Sequence, residues 1–114
     1  MTPAQRQAEL DQLQREAWIG DAVLGLWARE WILEKEGLLD GEMFIRMTSN
    51  EFLQAFGKPT AVEAEIGRCY AAEGVEAAIH LLQNKFLPVF LQQEKNFQNR
   101  QRQLAASHTP KRKR

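Results

Sequence analysis

Residues 17–28, AWIGDAVLGLWA, place the strongest constraint on the fold of this chain. Nine of these twelve residues are apolar, two are glycine, and the only charged one is Asp21. A Thr-Pro pair near the N-terminus is typical of a helix start, and Gly37 of a helix end. The pattern predicts one long helix over residues 3–36, buried nearly all round in its apolar segment. Asp21 and Gly20 are then unexpected, because a buried carboxylate needs a partner and glycine costs a helix about 1 kcal/mol relative to alanine.

A second predicted helix, residues 59–72, repeats this combination of acid and glycine. Glu63 and Gly67 are four residues apart and therefore share a face, whereas Glu65 lies about 200° away from Glu63 around the helix. Glycines allow two helix backbones to approach closely. We therefore expect the two helices to pack together with Asp21 and Glu63 facing one another.

Spacing alone leaves two interpretations of Asp21 open. In the first, the carboxylate pairs with an arginine such as Arg15 or Arg68, which is a common structural arrangement. In the second, Asp21 and Glu63 repel one another unless a cation lies between them, and hard oxygen ligands suit Mg²⁺ or Mn²⁺.

The rest of the chain is also predicted to be helical. A short helix is expected over residues 40–47, and TSNE (residues 48–51) is expected to be a capping box that opens a helix ending at Gly57. A last helix over 75–103 should bend or break near Pro88. No alternating pattern indicates a strand. We expect an all-α chain with one domain over residues 1–104 and a disordered basic tail over residues 105–114.

Composition excludes several classes of protein. No apolar run has the length of a membrane span and the N-terminus has no secretory signal, so we expect a cytoplasmic protein without a membrane partner. The single cysteine, Cys69, excludes an internal disulfide, and with His80 and His108 it is too small a set to favour a zinc site. Spacing places no base beside Cys69, so a thiol nucleophile is not expected either.

The formal net charge of zero conceals an uneven distribution. Residues 1–94 hold all 15 acidic residues against 8 Lys/Arg, whereas residues 95–114 hold 7 Lys/Arg and no acid. A basic end on an acidic body predicts either a polyanionic partner or a solvated tail.

Two motifs and the segments around them resemble the ribonuclease III family. WIGDAVL (residues 18–24) is similar to its signature helix, and EAEIGRCY (residues 63–70) to its second metal-binding helix. RMTSNEFL and GVEAAIHLL are similar to two further family segments, so the resemblance covers about residues 12–92. It is closest to the mini-ribonuclease III branch, which also lacks a following double-stranded-RNA-binding domain. The middle segment is shorter here, and Gln14, Ala17 and Thr60 stand where full-length family members have acids.

The resemblance implies an all-α helical bundle of the ribonuclease III type. It further implies a Mg²⁺-dependent endoribonuclease, with Mn²⁺ as a substitute, that acts on double-stranded or structured RNA in RNA processing such as ribosomal RNA maturation. Asp21 and Glu63 would be the catalytic metal ligands. Gln14 and Thr60 would support them from the surrounding layer, and Glu16, about 140° from Asp21 around the helix, is poorly placed to replace a missing acid.

The expected partners are RNA and a second copy of the chain, through the helix of residues 16–33. The basic tail is a candidate phosphate contact, with four residues: Lys111, Arg112, Lys113 and Arg114. The missing acids leave open a catalytically silent relative that binds RNA or the ribosome. A helical protein-interaction domain without an RNA role is a further alternative.

Overall fold

The computed structural model describes residues 1–108, and within them every element is helical. The prediction of an all-α chain is therefore confirmed. The elements are α1 (Pro3–Glu36), α2 (Gly41–Thr48), α3 (Asn50–Leu53), α4 (Pro59–Glu73), α5 (Val75–Leu81), a π-helical segment (Leu82–Phe86) and α6 (Leu87–His108). Within this described part, no helix combines the length and apolar character needed to cross a membrane.

The predicted ends of the first helix are confirmed. The Thr2 hydroxyl accepts a hydrogen bond from the backbone N–H of Gln5 at 3.1 Å, and the Gln5 side chain accepts one from the N–H of Thr2 at 2.8 Å. At the other end Gly37 adopts a left-handed conformation, with φ of 70°, and its N–H donates to the carbonyl of Leu33. Reciprocal capping and a left-handed glycine satisfy backbone groups that a helix end otherwise leaves without partners.

The prediction of a capping box at residues 48–51 is wrong. Ser49 is the cap of α3, because its hydroxyl accepts from the N–H of Phe52 at 3.1 Å. Thr48 instead ends α2, where its hydroxyl donates to the carbonyl of Phe44 at 2.8 Å. The helix that follows is also shorter than expected and ends at Leu53, four residues before Gly57.

The C-terminal helical region was expected to bend or break near Pro88; it does not break, but its hydrogen-bond pattern changes just before this residue. Pro88 has no N–H to donate to the carbonyl of Asn84, so the α-helical hydrogen-bond pattern cannot continue there. The chain widens into the π-helical segment, in which the N–H of Leu87 donates to the carbonyl of Leu82, five residues back. Helix α6 then runs to His108, past the expected start of the tail at residue 105. The four basic residues of that tail lie outside the described part of the chain.

An aromatic cluster packs the helices of the C-terminal half of the bundle against one another. The ring of Phe52 meets the rings of Phe56, Phe86 and Phe90 edge-on, at centroid distances of 5.5, 6.3 and 5.7 Å. Trp31 meets Phe90 at 6.1 Å, which attaches the start of α6 to α1. Edge-to-face contacts of this kind stabilise a core beyond the area they bury.

Helix α1 has an apolar face that the rest of the chain does not cover. We expected its apolar segment to be buried nearly all round, but this is wrong for the single chain. Trp18 is 79% exposed, and Ile19, Leu26 and Leu33 are also exposed. By helical spacing these four residues lie within about 100° of one another. We call them the α1 stripe.

Candidate metal centre at the crossing of α1 and α4

Helices α1 and α4 touch through their backbones. A Cβ atom on Gly20 would overlap the carbonyl oxygen of Glu63 and lie 2.9 Å from the N atom of Gly67. A Cβ atom on Gly67 would overlap the carbonyl oxygen of Glu16. The earlier residue of α1, Glu16, thus meets the later residue of α4, Gly67, so the two helices are antiparallel. Glycine at both positions is what permits this approach, and the packing expected from the two motifs is confirmed.

The crossing brings Asp21 and Glu63 together. The two carboxyl groups are neighbours, with Glu63 half-buried and Asp21 exposed. Burial, followed by hydrogen bonding to Asp21 and the negative charge of Asp21, raises the pKa of Glu63 to about 7. A carboxyl group with such a pKa is held close to a second negative charge in a partly dry site. Near neutral pH the pair therefore gains from any cation that neutralises it.

The other two acids near the crossing have cationic partners. Arg68 donates from Nη1 to Glu16 at 3.0 Å, which links α4 to α1 beside the two glycines. Glu65 accepts from Nζ of Lys85 at 3.0 Å and so points away from Glu63, as expected. The possible ion pair between Asp21 and Arg68 is therefore not formed. Within residues 1–108, neither Asp21 nor Glu63 forms an ion pair with a basic side chain.

The pair of carboxylates fits Mg²⁺ or Mn²⁺ by its donor chemistry. Both ions prefer oxygen ligands, and Mg²⁺ is usually held by one or two carboxylates while water and substrate phosphate occupy its other positions. The described residues contain no group of three or more His, Cys, Asp or Glu side chains placed to hold a metal. The crossing therefore offers two protein ligands and leaves most coordination positions to solvent and substrate.

The two residues expected to support the metal ligands, Gln14 and Thr60, both lie on the protein surface. Gln14 is exposed in a shallow depression with Asp11, Arg15 and Trp18. Thr60 is exposed at the start of α4. Neither contributes to the raised pKa of Glu63.

Cys69 lies on another side of α4. It is half-buried in a surface depression that also contains Glu73 and His80. Burial, with the charges of Glu73 and Glu65, raises the pKa of the Cys69 thiol. Because the thiolate is the reactive form, this environment disfavours nucleophilic chemistry at Cys69.

An ion pair that the sequence did not indicate anchors α6 to α2. Glu94 is 8% exposed and accepts from Nε and Nη2 of Arg46, at 2.9 and 2.6 Å. The guanidinium also lies over the ring of Phe97, 4.2 Å from its centroid. The hydrogen bond to Glu94 is the main reason that the pKa of Arg46 is raised. The only sequence signal was that Glu94 is the last acid before the acid-free end of the chain.

The chemistry available at the crossing is that of two neighbouring carboxylates with a glycine beside each, open to solvent on the Asp21 side. Such a site can hold a divalent cation and present it to an anionic substrate. Comparison of the chain with protein-family models, with curated proteins and with solved structures finds no match.

Proposed function

We propose that this protein is a metal-dependent endoribonuclease that cuts double-stranded or structured RNA, with Asp21 and Glu63 as its Mg²⁺ ligands. The observation that carries the proposal is the contact of these two carboxylates at the glycine crossing, with the pKa of Glu63 raised to about 7. Strongly shifted carboxyl groups cluster at functional sites. The substrate class comes from the resemblance of residues 18–24 and 63–70 to ribonuclease III motifs.

Hydrolysis of a phosphodiester consumes one water molecule. The water oxygen forms a bond to phosphorus, the bond from phosphorus to the 3′ oxygen breaks, and one proton of the water ends on that 3′ oxygen. The products are a 5′ phosphate and a 3′ hydroxyl. When bound, Mg²⁺ lowers the pKa of the attacking water and stabilises charge on the leaving oxygen.

The chain itself supplies charge and position. Glu63 binds a cation only as the carboxylate, so its pKa of about 7 predicts weaker metal binding in mild acid. Asp21 lies on the exposed side of the pair, where a phosphate can approach. The backbone contact between Gly20 and Gly67 fixes the separation of the two helices, and with it the separation of the two carboxylates.

The proposed active form is a homodimer through the helix of residues 16–33. The α1 stripe supports this, because four large apolar side chains at helical spacing are uncovered in the single chain. A two-fold dimer uses the same surface on both copies, so one stripe can cover the other. Asp21 lies beside the stripe on α1, which would bring the two sites near the dimer axis.

A silent RNA-binding or ribosome-binding module is the second candidate. It is favoured by the two-ligand site, since the described residues contain no third His, Cys, Asp or Glu side chain placed to hold a metal together with Asp21 and Glu63. The acids missing at Gln14, Ala17 and Thr60 agree with this alternative.

Cleavage of a perfect RNA duplex distinguishes the two candidates. The wild type is expected to cut with Mg²⁺ or Mn²⁺, and Asp21→Asn to lose orders of magnitude in rate, because an amide is a much weaker Mg²⁺ ligand than a carboxylate. Glu65→Gln is the matched control, since Glu65 is an acid on the other side of α4 and bound to Lys85. It should cut at nearly the wild-type rate. A wild type that binds the duplex but never cuts it would favour the silent module.

A further inference from the structure

The C-terminal part of α6, residues 95–107, is a basic helical surface outside the crossing. We call it the α6 arm. It carries Lys95, Arg100 and Arg102 and contains no acidic residue. Every side chain from Gln98 to Ser107 is exposed. This cationic segment belongs to a chain whose first 94 residues hold all of its acids.

The arm is held firmly at its base. Just before it, Glu94 forms the double hydrogen bond to Arg46, and Phe97 packs against the same guanidinium. One turn earlier, Phe90 contacts Trp31 of α1. A short polar helix is marginally stable by itself, so these contacts are what give the arm a defined direction.

The outer face of the arm is suited to RNA. Lys95 and Arg102 are seven residues apart, which places them on one face about 10 Å apart along the axis, opposite Phe97. Gln98 and Asn99 lie between them, so the face offers cations and amide donors without a carboxylate. Cations bind phosphates, and amides suit the 2′-hydroxyls displayed by A-form RNA. A membrane-binding helix needs large apolar side chains, which this face lacks.

We propose that the α6 arm is a second RNA contact, which binds the duplex backbone through Lys95 and Arg102 away from the cleaved bond. This inference rests on the proposed function. Trp31, where α6 is attached, lies ten residues beyond Asp21 on α1, or about 15 Å along the helix axis. Lys95 and Arg102 follow this attachment along α6 and take no part in the contacts of the crossing, so we assign them affinity for the duplex and not chemistry at the phosphate.

The test compares two double variants with the same change in charge. Lys95→Gln/Arg102→Gln removes the proposed contacts, and Arg6→Gln/Lys35→Gln removes two exposed cations of α1 as the control. Both are made in the full chain carrying Asp21→Asn, so that duplex RNA stays intact while its Kd is measured between 50 and 200 mM salt. The arm variant should bind several-fold more weakly, with a salt slope about 2 smaller, because each phosphate contact adds about 1 to the slope. The control should keep the slope of its parent.

Cleavage by the same variants with Asp21 restored separates the possible failures. At saturating enzyme the single-turnover rate of the arm variant should equal that of the wild type. If the arm variant and the control have equal affinity and equal salt slope, RNA binding by the α6 arm would be overturned while the proposed function remains intact. If the arm variant binds more weakly but the wild type never cuts, the result would support RNA binding by the α6 arm and overturn the proposed endoribonuclease activity. A wild type that neither binds nor cuts the duplex would overturn both.

Discussion

The carbonyl oxygen of Glu63 occupies the space in which the side chain of any larger residue at Gly20 would begin. This relationship couples helix packing to the candidate metal centre, because Asp21 directly follows Gly20 and Glu63 itself carries the second carboxylate. The separation of the two helices therefore sets the position of both acids. Changes at the glycines should affect stability and metal binding together.

Replacing Gly20 by alanine should destabilise the protein, although alanine is the better helix former. The added methyl group must push α4 away from α1, and overpacking of this kind costs about 1–3 kcal/mol. Urea unfolding should show the loss. Gly41→Ala is the control, since nothing lies within 4 Å of a Cβ atom at that position. Equal stability of the two variants would contradict the backbone contact.

The contribution of Glu63 to stability should fall as the pH rises from about 4.5 to about 7. Glu63 has a folded-state pKa of about 7 against an ordinary value of 4.5, so between these values the folded state binds more protons than the unfolded state. The contribution of Glu63 is most favourable below this window and is lost as the pH rises through it. Glu63→Gln removes the titrating group. The unfolding free energy of the wild type minus that of this variant should decrease across the window, and a flat difference would contradict the raised pKa.

Magnesium should stabilise the wild type at pH 8 and have little effect on Asp21→Asn. A ligand that binds only the folded state raises the free energy of unfolding in proportion to the logarithm of its concentration above Kd. Thermal unfolding in MgCl₂, with NaCl of matched ionic strength as the control, measures the effect. At pH 6 the gain should be smaller, because binding must displace a proton from Glu63. Identical gains in the wild type and Asp21→Asn would place the ion elsewhere.

Leu26→Asp should convert the proposed dimer into a folded monomer. The residue lies in the centre of the α1 stripe, where a charge in a two-fold interface would face its own copy. Leu91→Asp is the matched control, because Leu91 is similarly exposed but lies on α6. Sedimentation of both variants beside the wild type measures the change. A monomeric wild type at micromolar concentration would remove the dimer.

The sequence predicted the crossing of α1 and α4 because the glycines and acids at 20, 21, 63 and 67 restrict helix packing directly. It also predicted both ends of α1, where local hydrogen bonds decide the conformation. Ser49 caps α3 by accepting from the N–H of Phe52, whereas the hydroxyl of Thr48 donates back to the carbonyl of Phe44. Thr and Ser are both good cap residues, so the sequence could not distinguish these two neighbours. The pairing of Arg46 with Glu94 spans 48 positions and has no local pattern.

The exposure of Trp18 marks another limit of sequence. Apolarity predicted that the side chain is buried, but it does not specify which chain buries it. A helix with apolar residues on two faces has the same pattern whether the second face meets its own domain or a partner. The structure of the single chain distinguishes the two faces, and the sedimentation experiment addresses what covers the second one.

The π-helical segment determines which side of the helix the residues after it lie on. Ala78, Leu82, Phe86, Phe90 and Glu94 are all buried at a strict spacing of four, yet an α-helix with 3.6 residues per turn would rotate such a series by about 40° at each step. The wider π-helical turn contains one extra residue, and this cancels about 100° of the accumulated rotation. Without it, Glu94 would turn away from Arg46, and Lys95 and Arg102 would face another direction. The orientation of the α6 arm is thus set before the arm begins, where Pro88 cannot donate an N–H.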